Sequence, residues 1–421
     1  MHSRKPHIIT VFEHDRLYLG NGEQNLSANQ LKALQEYHGT KGVPWFTLIH
    51  NGVKFCEYVG ILQVGNLLIE VLPKADRNTS DKAFWRDVLI DMVRVAGFVV
   101  TKETSESRLR IRANSVLELY FERFVSEANY LLRTGLVKQY RPVSGNRTSL
   151  KGAIDFPNHL RHNLIHAERF YVRHTIYDTT HLLHAIIYKT ILLLQRINTN
   201  PGLYSPLANL SISFPFQEDI KISADLFKRI TYNRKNRQYE PLINICKLIL
   251  LNYHPDISKG HNDVLALMFD MNSLWEQFIY VTLRTRLLEA DSGLKVRAQK
   301  SRNFWQSDQN RATRLRPDII IERGNGEKVI IDTKWKLTDR AAPTDDDLRQ
   351  MFTYNLYFSS SKAALLYPGS QNQVIDGNFY KRGSQEELSQ ESCAVITLKV
   401  EDGVRQWQRE IGGFINNWLH A

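Results

Sequence analysis

Two runs of branched apolar residues around a glycine-rich turn constrain the fold of this chain more than any other feature. Residues 319–321 (Ile-Ile-Ile) and 329–331 (Val-Ile-Ile) lie on either side of the segment 324–326 (Gly-Asn-Gly). Apolar runs of this length joined by Gly and Asn are typical of a β-hairpin. Because neither run alternates with polar residues, we expect both strands to be buried on both faces of a larger sheet.

Charged residues lie at the outer ends of both predicted strands. If the hairpin is centred on Asn325, Asp318 lies directly opposite Asp332, and opposed residues point to the same face with Cβ atoms roughly 5 Å apart. Lys334 shares that face, because side chains alternate along a strand. A bulge at the turn would shift this register by one residue.

Two opposed carboxylates destabilise a strand pair unless a cation neutralises them. Oxygen ligands favour Mg²⁺, which is commonly held by one or two carboxylates together with water and phosphate. The sequence therefore predicts a magnesium site at Asp318 and Asp332. The alternative is a surface hairpin with unrelated charges, which the continuous apolar runs disfavour.

The charge of the chain indicates a polyanionic partner. The 421 residues carry a formal net charge of +11, which suits binding to nucleic acid. Basic residues cluster in segments 137–174, 228–237 and 295–316, and the last segment leads directly into the predicted hairpin. Any one cluster could equally be a solvated face, but the three together favour contacts with phosphate.

Several classes of protein are disfavoured by the sequence. The most apolar segment, 182–197, is interrupted by polar residues, and a membrane helix needs roughly 20 apolar residues. The N-terminal residues lack the apolar core of a signal peptide. The three cysteines are far apart and form no CxxC pair, which fits a reducing compartment and offers no zinc site. We therefore expect a cytoplasmic protein with no membrane partner.

The patterning predicts a multi-domain α/β protein of the α+β type. The length favours two or three domains. We expect a β-rich, barrel-like module at residues 1–75, a mainly helical region with basic loops at 76–260, and an α/β domain with a mixed sheet at 261–421. In the last domain, a helix capped by Thr344 carries Gln350 and Tyr354 one turn apart on one face.

The residues Asp318 and Asp332-Thr333-Lys334 resemble the active site of the PD-(D/E)xK nuclease superfamily, whose fold is restriction-endonuclease-like. The resemblance implies that both acids hold Mg²⁺. It also implies that Gln350 and Tyr354 form a Gln-xxx-Tyr pair that supports the site or contacts DNA, and that Glu276 occupies the position of a supporting acid. The bland alternatives are a core aromatic for Tyr354, a surface amide for Gln350 and a solvated helix residue for Glu276.

A wider set of motifs is similar to the McrC family, the nuclease subunit of the McrBC modification-dependent restriction system. The similarity covers about residues 80–421 and rests on segments 150–156 (LKGAIDF), 234–239 (RKNRQY), 243–247 (INICK), 274–278 (LWEQF) and 332–334 (DTK). The family does not always keep an acid at the position of Glu276.

The McrC resemblance implies a partner, a McrB-like AAA+ GTPase that forms a hexameric ring and recognises modified DNA, with 5-methylcytosine as the expected modification. This chain contains no Gly-x-x-x-x-Gly-Lys-Ser/Thr motif, so GTP is expected to be bound by the partner. The resemblance also implies that the N-terminal half stimulates the partner's GTPase. Arg141, Arg147 and Lys151 are candidates for that role, with DNA contact or simple surface charge as alternatives.

The expected reaction is hydrolysis of a DNA phosphodiester, leaving a 5′-phosphate and a 3′-hydroxyl. Asp318 and Asp332 would hold Mg²⁺, with the carbonyl of Thr333 as a third ligand. Lys334 would orient the attacking water or stabilise the developing charge.

Three rival functions remain open. The first is a non-catalytic adaptor that binds DNA or the ring, and the second is a stand-alone DNA repair nuclease. The third is a zinc hydrolase, because the pairs His162/His166 and His181/His184 have helix-compatible spacings. The zinc alternative lacks an HExxH motif and a matching acid, so ordinary structural histidines are favoured.

Overall fold

The structure, a computed structural model, has the mixed α/β fold class that the sequence predicts. It describes residues 7–39, 42–65, 67–75, 81–96, 116–166, 168–198, 200–254, 264–291, 293–308, 312–336 and 343–420. The chain divides into two compact units, one of residues 1–119 and 254–421 and the other of residues 120–253. The predicted boundaries near residues 75 and 260 stay a prediction. In the described ranges, no helix is long and apolar enough to cross a membrane.

The N-terminal part of the first unit is β-rich. Its elements are β1 (His7–Phe12), β2 (Arg16–Tyr18), α1 (Ala28–His38), β3 (Phe46–Ile49), β4 (Gly52–Phe55), β5 (Tyr58–Val64), β6 (Leu67–Leu72) and α2 (Lys82–Val95). The strands form two sheets instead of the barrel-like module expected from the sequence. The smaller sheet has the order β2-β4-β3, and the larger contains the order β1-β6-β5.

Two strands from the C-terminal half, β10 (Tyr253–His254) and β11 (Val264–Asp270), complete the larger N-terminal sheet, whose full order is β1-β6-β5-β11-β10. Strand β11 (Val264–Asp270) pairs with β5 in antiparallel register, from Val264 opposite Val64 to Asp270 opposite Tyr58. Its residues Val264 and Ala266 are buried in the same apolar core as Ile9 and Leu62. Local sequence did not predict this strand, because its partner lies some 200 residues earlier in the chain.

The C-terminal part of the first unit is built on a mixed sheet. Its main strands are β12 (Lys295–Ala298), β15 (Ile319–Glu322), β16 (Lys328–Thr333), β17 (Lys362–Gly369), β18 (Gln373–Ile375), β19 (Asn378–Tyr380) and β20 (Leu388–Lys399). The order is β12-β15-β16-β17-β20-β18, with β19 also paired to β20. The β16–β17 and β17–β20 pairs are parallel, and β12–β15 and β15–β16 are antiparallel.

The register of the β15–β16 hairpin is the predicted one. Ile319 pairs with Ile331 and Ile321 with Val329, without a shift along the pair. Continued by one residue, this register places Asp318 opposite Asp332. Gly326 has φ +87° in the turn, a conformation that is favourable for glycine and costly for residues with a Cβ. The glycine-rich turn therefore absorbs the reversal without a bulge in the strands.

Helices cover both faces of this sheet. They are α9 (Met271–Ala290), α10 (Asp345–Phe358) and α11 (Val404–His420). On one face, Met351 and Phe358 of α10 pack with Ile330 and Leu365. Helices α9 and α11 pack closely against each other at Gly412. A Cβ added to this glycine would lie only 2.4 Å from the Cβ of Arg286. These layers bury both faces of β16, as the apolar pattern predicts.

The second unit contains more regular structure than expected. Its strands are β7 (Gln139–Arg147), β8 (Ala153–Ile154) and β9 (Phe170–Asp178), which form a sheet of order β7-β9-β8. Its helices are α4 (Phe156–Asn163), α5 (Leu182–Ile197), α6 (Pro201–Ser213), α7 (Ala224–Lys228) and α8 (Glu240–Leu251), and α3 (Val116–Thr134) begins just before it. The basic loops expected between the helices of region 76–260 therefore include a three-stranded sheet. Asn200 caps α6, and Pro201 is the first residue of that helix. The predicted domain boundary at residue 260 lies outside the described residues.

A buried carboxyl joins the N-terminal strands to the end of β16. Glu13 Oε1 accepts hydrogen bonds from the Lys74 backbone N (2.9 Å) and from Trp335 Nε1 (2.7 Å). Burial raises the pKa of Glu13 to about 7. Its second oxygen is buried and makes no hydrogen bond with any residue that the structure describes, which fits a carboxyl that is protonated below neutral pH.

We expect Glu13→Gln to remove part of the pH dependence of stability. Between pH 4.5 and about 7 the folded protein keeps a proton that the unfolded chain has lost, so the free energy of unfolding of the wild type falls as pH rises through that window. Relative to wild type, the variant should gain up to about 3 kcal/mol between pH 4.5 and pH 8. Urea unfolding across this range measures the effect, with the exposed Glu36→Gln as control. Parallel pH curves for Glu13→Gln and wild type would refute it.

Candidate active site

The carboxylate of Asp318 is held by the opposite strand. Asp318 directly precedes β15, and its Oδ2 accepts hydrogen bonds from the backbone N (2.7 Å) and the Oγ1 (2.9 Å) of Thr333. Its own carbonyl accepts a hydrogen bond from the backbone N of Gln299 at 2.9 Å. These bonds extend the hairpin beyond its last backbone pair and fix the side chain at the end of β16.

Asp332 and Lys334 form an ion pair at the same end of the sheet. Asp332 is 2% exposed, and its Oδ2 lies 2.7 Å from Lys334 Nζ. This oxygen makes no hydrogen bond of acceptable geometry with a described residue. The backbone N of Lys334 donates to the Leu366 carbonyl at 2.9 Å, so the lysine backbone is fixed by the parallel strand β17. The predicted set of two acids and one lysine is therefore brought together.

The electrostatics of the site favour capture of a cation. Burial, followed by the negative charge of Asp318, raises the pKa of Asp332 to about 6. Burial and the charge of Glu276 raise the pKa of Asp318, although Thr333 and Lys334 oppose the shift. Burial acts to lower the pKa of Lys334, but the ion pair with Asp332 and the charges of Asp347 and Asp318 together outweigh burial, and the pKa is raised. Two carboxylates thus share one ammonium in a desolvated site, which leaves negative charge uncompensated.

Gln350 and Tyr354 connect the lysine to the strand that carries Asp318. Lys334 Nζ donates to Gln350 Oε1 (3.3 Å), Gln350 Nε2 donates to the Tyr354 hydroxyl (2.9 Å), and that hydroxyl donates to the Arg316 carbonyl (3.3 Å). Tyr354 also packs in the core under the sheet. The structural and the functional interpretations of Tyr354 are therefore compatible.

Glu276 lies beside the site and is held by another side chain. Its Oε1 accepts a hydrogen bond from Gln299 Nε2 at 2.7 Å. Gln299 also contacts the Asp318 carbonyl through its backbone N, so the supporting position predicted for Glu276 is indirect. Its effect on Asp318 is electrostatic.

Asp347 is a residue of the site that sequence reasoning did not assign to it. It forms the capping box at the start of α10 together with Thr344. Its Oδ2 also lies 3.3 Å from Lys336 Nζ, and its Oδ1 lies 3.9 Å from Lys334 Nζ. Its charge contributes to the raised pKa of Asp332. The sequence contained one signal for this residue: Lys334 and Lys336 follow Asp332 at alternate positions beyond the end of β16. Two lysines so placed can both pair with an additional acid.

The other sequence candidates belong to the second unit. Arg141 forms an ion pair with Asp178 at 2.9 Å, whereas Arg147 lines a cavity of about 570 Å³ with Arg169 and His174. His184, one of the considered zinc ligands, is buried and hydrogen-bonded to the Thr179 carbonyl and the Tyr239 hydroxyl.

Within the described part of the chain, no group of three or more His, Cys, Asp or Glu side chains could hold a metal ion. A metal at the site would therefore be held by at most two such side chains and would need further ligands in addition to them. Asp318 and Asp332, together with the main-chain carbonyl of Thr333 and water, could supply a hard oxygen set. The observation that fits this assignment is the buried Asp332 Oδ2, which lies 2.7 Å from Lys334 Nζ and makes no further contact with a hydrogen-bond donor among the described residues.

The architecture and the acid–acid–lysine centre define an α/β protein with a fold known from a restriction complex. A chain in the refined half-complex from the tetradecameric assembly of Thermococcus gammatolerans McrB AAA+ hexamers with bound McrC matches with a TM-score of 0.68 and 17% identity, over 98% of this chain and 100% of that chain. A chain in the cryo-EM structure of the Thermococcus gammatolerans McrBC complex matches with a TM-score of 0.48 and 18% identity, over 66% of this chain and 88% of that chain.

The chain belongs to the family of McrBC 5-methylcytosine restriction system components, whose family model matches residues 53–368. A curated relative, the type IV methyl-directed restriction enzyme EcoKMcrBC of Escherichia coli (strain K12), is 24% identical over 210 residues, or 49% of this chain. The match spans 60% of the length of that relative.

We expect Lys334→Met to destabilise the protein in a pH-dependent way. At pH 8 the variant leaves the buried, ionised Asp332 without its counter-charge, which should cost about 2 kcal/mol. At pH 5, below the pKa of about 6, Asp332 is protonated and the cost should be much smaller. Urea unfolding at both pH values measures the difference.

The double variant Asp332→Asn/Lys334→Met is the control for this prediction, because it removes both charges. It should be closer to wild type at pH 8 than Lys334→Met is. An equal loss of stability at pH 5 and pH 8 for the single variant would show that the methionine acts through packing alone.

Proposed function

We propose that this chain is the Mg²⁺-dependent DNA endonuclease subunit of a McrBC-like restriction system. It would cleave DNA that carries modified bases, 5-methylcytosine in particular, in defence against foreign DNA. The observation that carries the proposal is the buried centre of Asp318, Asp332 and Lys334, in which two carboxylates with raised pKa values face one ammonium. Family membership supports the restriction context.

The residues of the centre have distinct roles in the proposed hydrolysis. Bound Mg²⁺ would polarise the phosphodiester and acidify its water, and Asp318, Asp332 and the Thr333 carbonyl would hold it. Thr333 fixes Asp318 through two hydrogen bonds, so this ligand is preorganised. Lys334, held by Gln350, would orient the attacking water or stabilise charge on the phosphate.

We also propose that an AAA+ GTPase ring is the partner of this chain. The relatives support this: the Thermococcus assembly contains McrB AAA+ hexamers with bound McrC. The sequence has no phosphate-binding loop of its own, so GTP would be bound by the partner. Arg147 and Lys151, both exposed in the second unit, remain the candidates for stimulating its GTPase, whereas Arg141 is already paired.

The alternatives differ from this proposal in what they require of the site. An adaptor that only binds DNA or the ring has no use for two buried, desolvated carboxylates, which cost stability. A stand-alone repair nuclease would use the same centre, but it should cut without a partner. Cleavage of methylated and unmethylated plasmid, with and without the AAA+ partner, separates these functions.

We expect Asp332→Ala or Lys334→Ala to abolish cleavage of methylated plasmid by the chain together with its partner. Both variants remove a group that would contact the metal, water or phosphate, while assembly with the ring should persist. Gel analysis of cleavage and size-exclusion chromatography of the complex measure the two effects. Asp346→Ala, at an exposed acid on the first turn of α10, is the matched control. Normal cleavage by either site variant would contradict the proposal.

Magnesium binding can be tested without cleavage. Because metal that binds only the folded state stabilises it, Mg²⁺ at about 100 times its Kd should add about 2.7 kcal/mol to the free energy of unfolding of the wild type. The stabilisation should be absent in Asp318→Asn/Asp332→Asn and unchanged in Asp346→Ala. Thermal unfolding with increasing Mg²⁺ gives the comparison, and equal stabilisation of all three proteins would place the metal elsewhere.

A further inference from the structure

A second two-stranded sheet projects from the chain just before Asp318. We call it the basic ribbon: β13 (Arg302–Gln306) paired antiparallel with β14 (Ala312–Leu315). Sequence patterning did not predict this ribbon. All residues of β13 are exposed, as are those of β14 except its last, Leu315. Leu315 packs against the core under the main sheet, so the ribbon is anchored at its base and open to solvent beyond it.

Both ends of the ribbon begin at the candidate active site. On the incoming side, the backbone N of Gln299 donates to the Asp318 carbonyl at 2.9 Å. Gln299 itself has φ +50°, a strained conformation that turns the chain at this point. On the outgoing side, the Arg316 carbonyl accepts the hydrogen bond of Tyr354. The base of the ribbon is therefore tied to the residues that hold the acidic centre.

The ribbon is also fastened to α10, the helix that carries Gln350 and Tyr354. Arg302 Nη1 donates to the Tyr357 carbonyl, and the Phe304 ring contacts the Tyr357 ring edge-on with centroids 5.2 Å apart. The register shifts between Asn303 and Trp305, so Phe304 is the extra residue of a β-bulge, a feature that re-aims side chains. Here the bulge directs Phe304 to the helix and leaves Trp305 in solvent.

Trp305 is an unusual surface residue. It is 58% exposed, whereas the other six tryptophans of the chain are buried or half-buried. Exposing so large an apolar ring costs free energy unless the ring has a ligand. Arg314, on the paired strand, is exposed, and no ion pair joins it to an acid in the described part of the chain. A solvent-exposed tryptophan with a free arginine suits bases and phosphates.

We propose that the basic ribbon is a DNA-binding element that holds the duplex at the active site. This inference rests on the proposed nuclease function and extends it to substrate positioning. A two-stranded ribbon fits the major groove, Arg314 would contact phosphate, and Trp305 would stack on or wedge against bases. With five residues at about 3.3 Å each, the ribbon is roughly 15 Å long, so its contacts lie within about five base pairs of the scissile phosphate. A protein surface would be a less suitable ligand, because the two strands of the ribbon carry two arginines and no acid.

Binding of a 30-base-pair fluorescent duplex, with Ca²⁺ replacing Mg²⁺ to suppress cleavage, tests the ribbon directly. The full-length chain is used both alone and with its AAA+ partner. We expect Trp305→Ala/Arg314→Ala to weaken DNA binding at least tenfold, about 1.4 kcal/mol, and to reduce the slope of log K against log salt by about one unit. Because both side chains are exposed, the melting temperature should not change.

Tyr380→Ala/Lys381→Ala is the matched control, since it removes another exposed aromatic residue and an exposed basic residue. It should leave the affinity within a factor of two. Trp305→Phe supplies a spectroscopic readout, because the quenching of tryptophan fluorescence by DNA should be lost in this variant.

The outcomes separate this inference from the proposed function. The proposed role of the ribbon would be contradicted if the ribbon variant bound DNA with wild-type affinity. It would also be contradicted if the unchanged chain showed no measurable DNA binding with or without its partner. If the ribbon variant bound DNA normally but no longer assembled with its partner, the ribbon would be a protein-binding element, and the proposed DNA-binding role would be contradicted. Asp332→Asn should bind DNA normally without cutting it. Normal cutting by that variant would contradict the proposed nuclease centre, but it would not affect the conclusion about DNA binding by the ribbon.

Discussion

The bond between Asp318 and Thr333 is the interaction on which the candidate site depends. Asp318 lies outside the last backbone pair of its hairpin, where a strand end would otherwise fray. The amide and hydroxyl of Thr333 close that gap at 2.7 and 2.9 Å. Since Thr333 lies between Asp332 and Lys334, one residue fixes the spacing of all three charged side chains. A substitution at Thr333 would therefore disturb the geometry of the site without removing any charge from it.

The burial of the carboxylates around this bond both destabilises the fold and provides the basis of the proposed chemistry. The carboxylates are destabilised because helices and strands exclude water from them, and that exclusion raises their pKa values. A site open to solvent would stabilise the acids but would bind a cation less strongly, since charges interact weakly in water. Lys334 offsets only part of the negative charge. The remainder is the physical basis for expecting a divalent cation.

The sequence predicted the elements whose signals are local. The hairpin register followed from two apolar runs and a glycine turn, and the start of α10 followed from Thr344 and the acids after it. Strand β11 was missed because its partner is far away in sequence. The basic ribbon was missed because its residues are polar and exposed, so they lack the alternation that identifies a strand buried on one face. For the candidate site, the charged triad was accessible to pattern analysis, but the contacts of Asp347 and Glu276 depend on how helices pack on the sheet.

The contact of Glu13 with Trp335 also could not be predicted from local sequence, because more than 300 residues separate the two. Trp335 follows Lys334 directly, and its indole is fixed by Glu13 while its backbone N donates to Asn272 Oδ1 at 3.1 Å. The N-terminal sheet and helix α9 thus hold the segment that follows β16. Because Glu13 is buried with a pKa near 7, this support is sensitive to its protonation. The β-rich N-terminal module therefore belongs physically to the candidate active site, although no residue of the module lies in the charged triad.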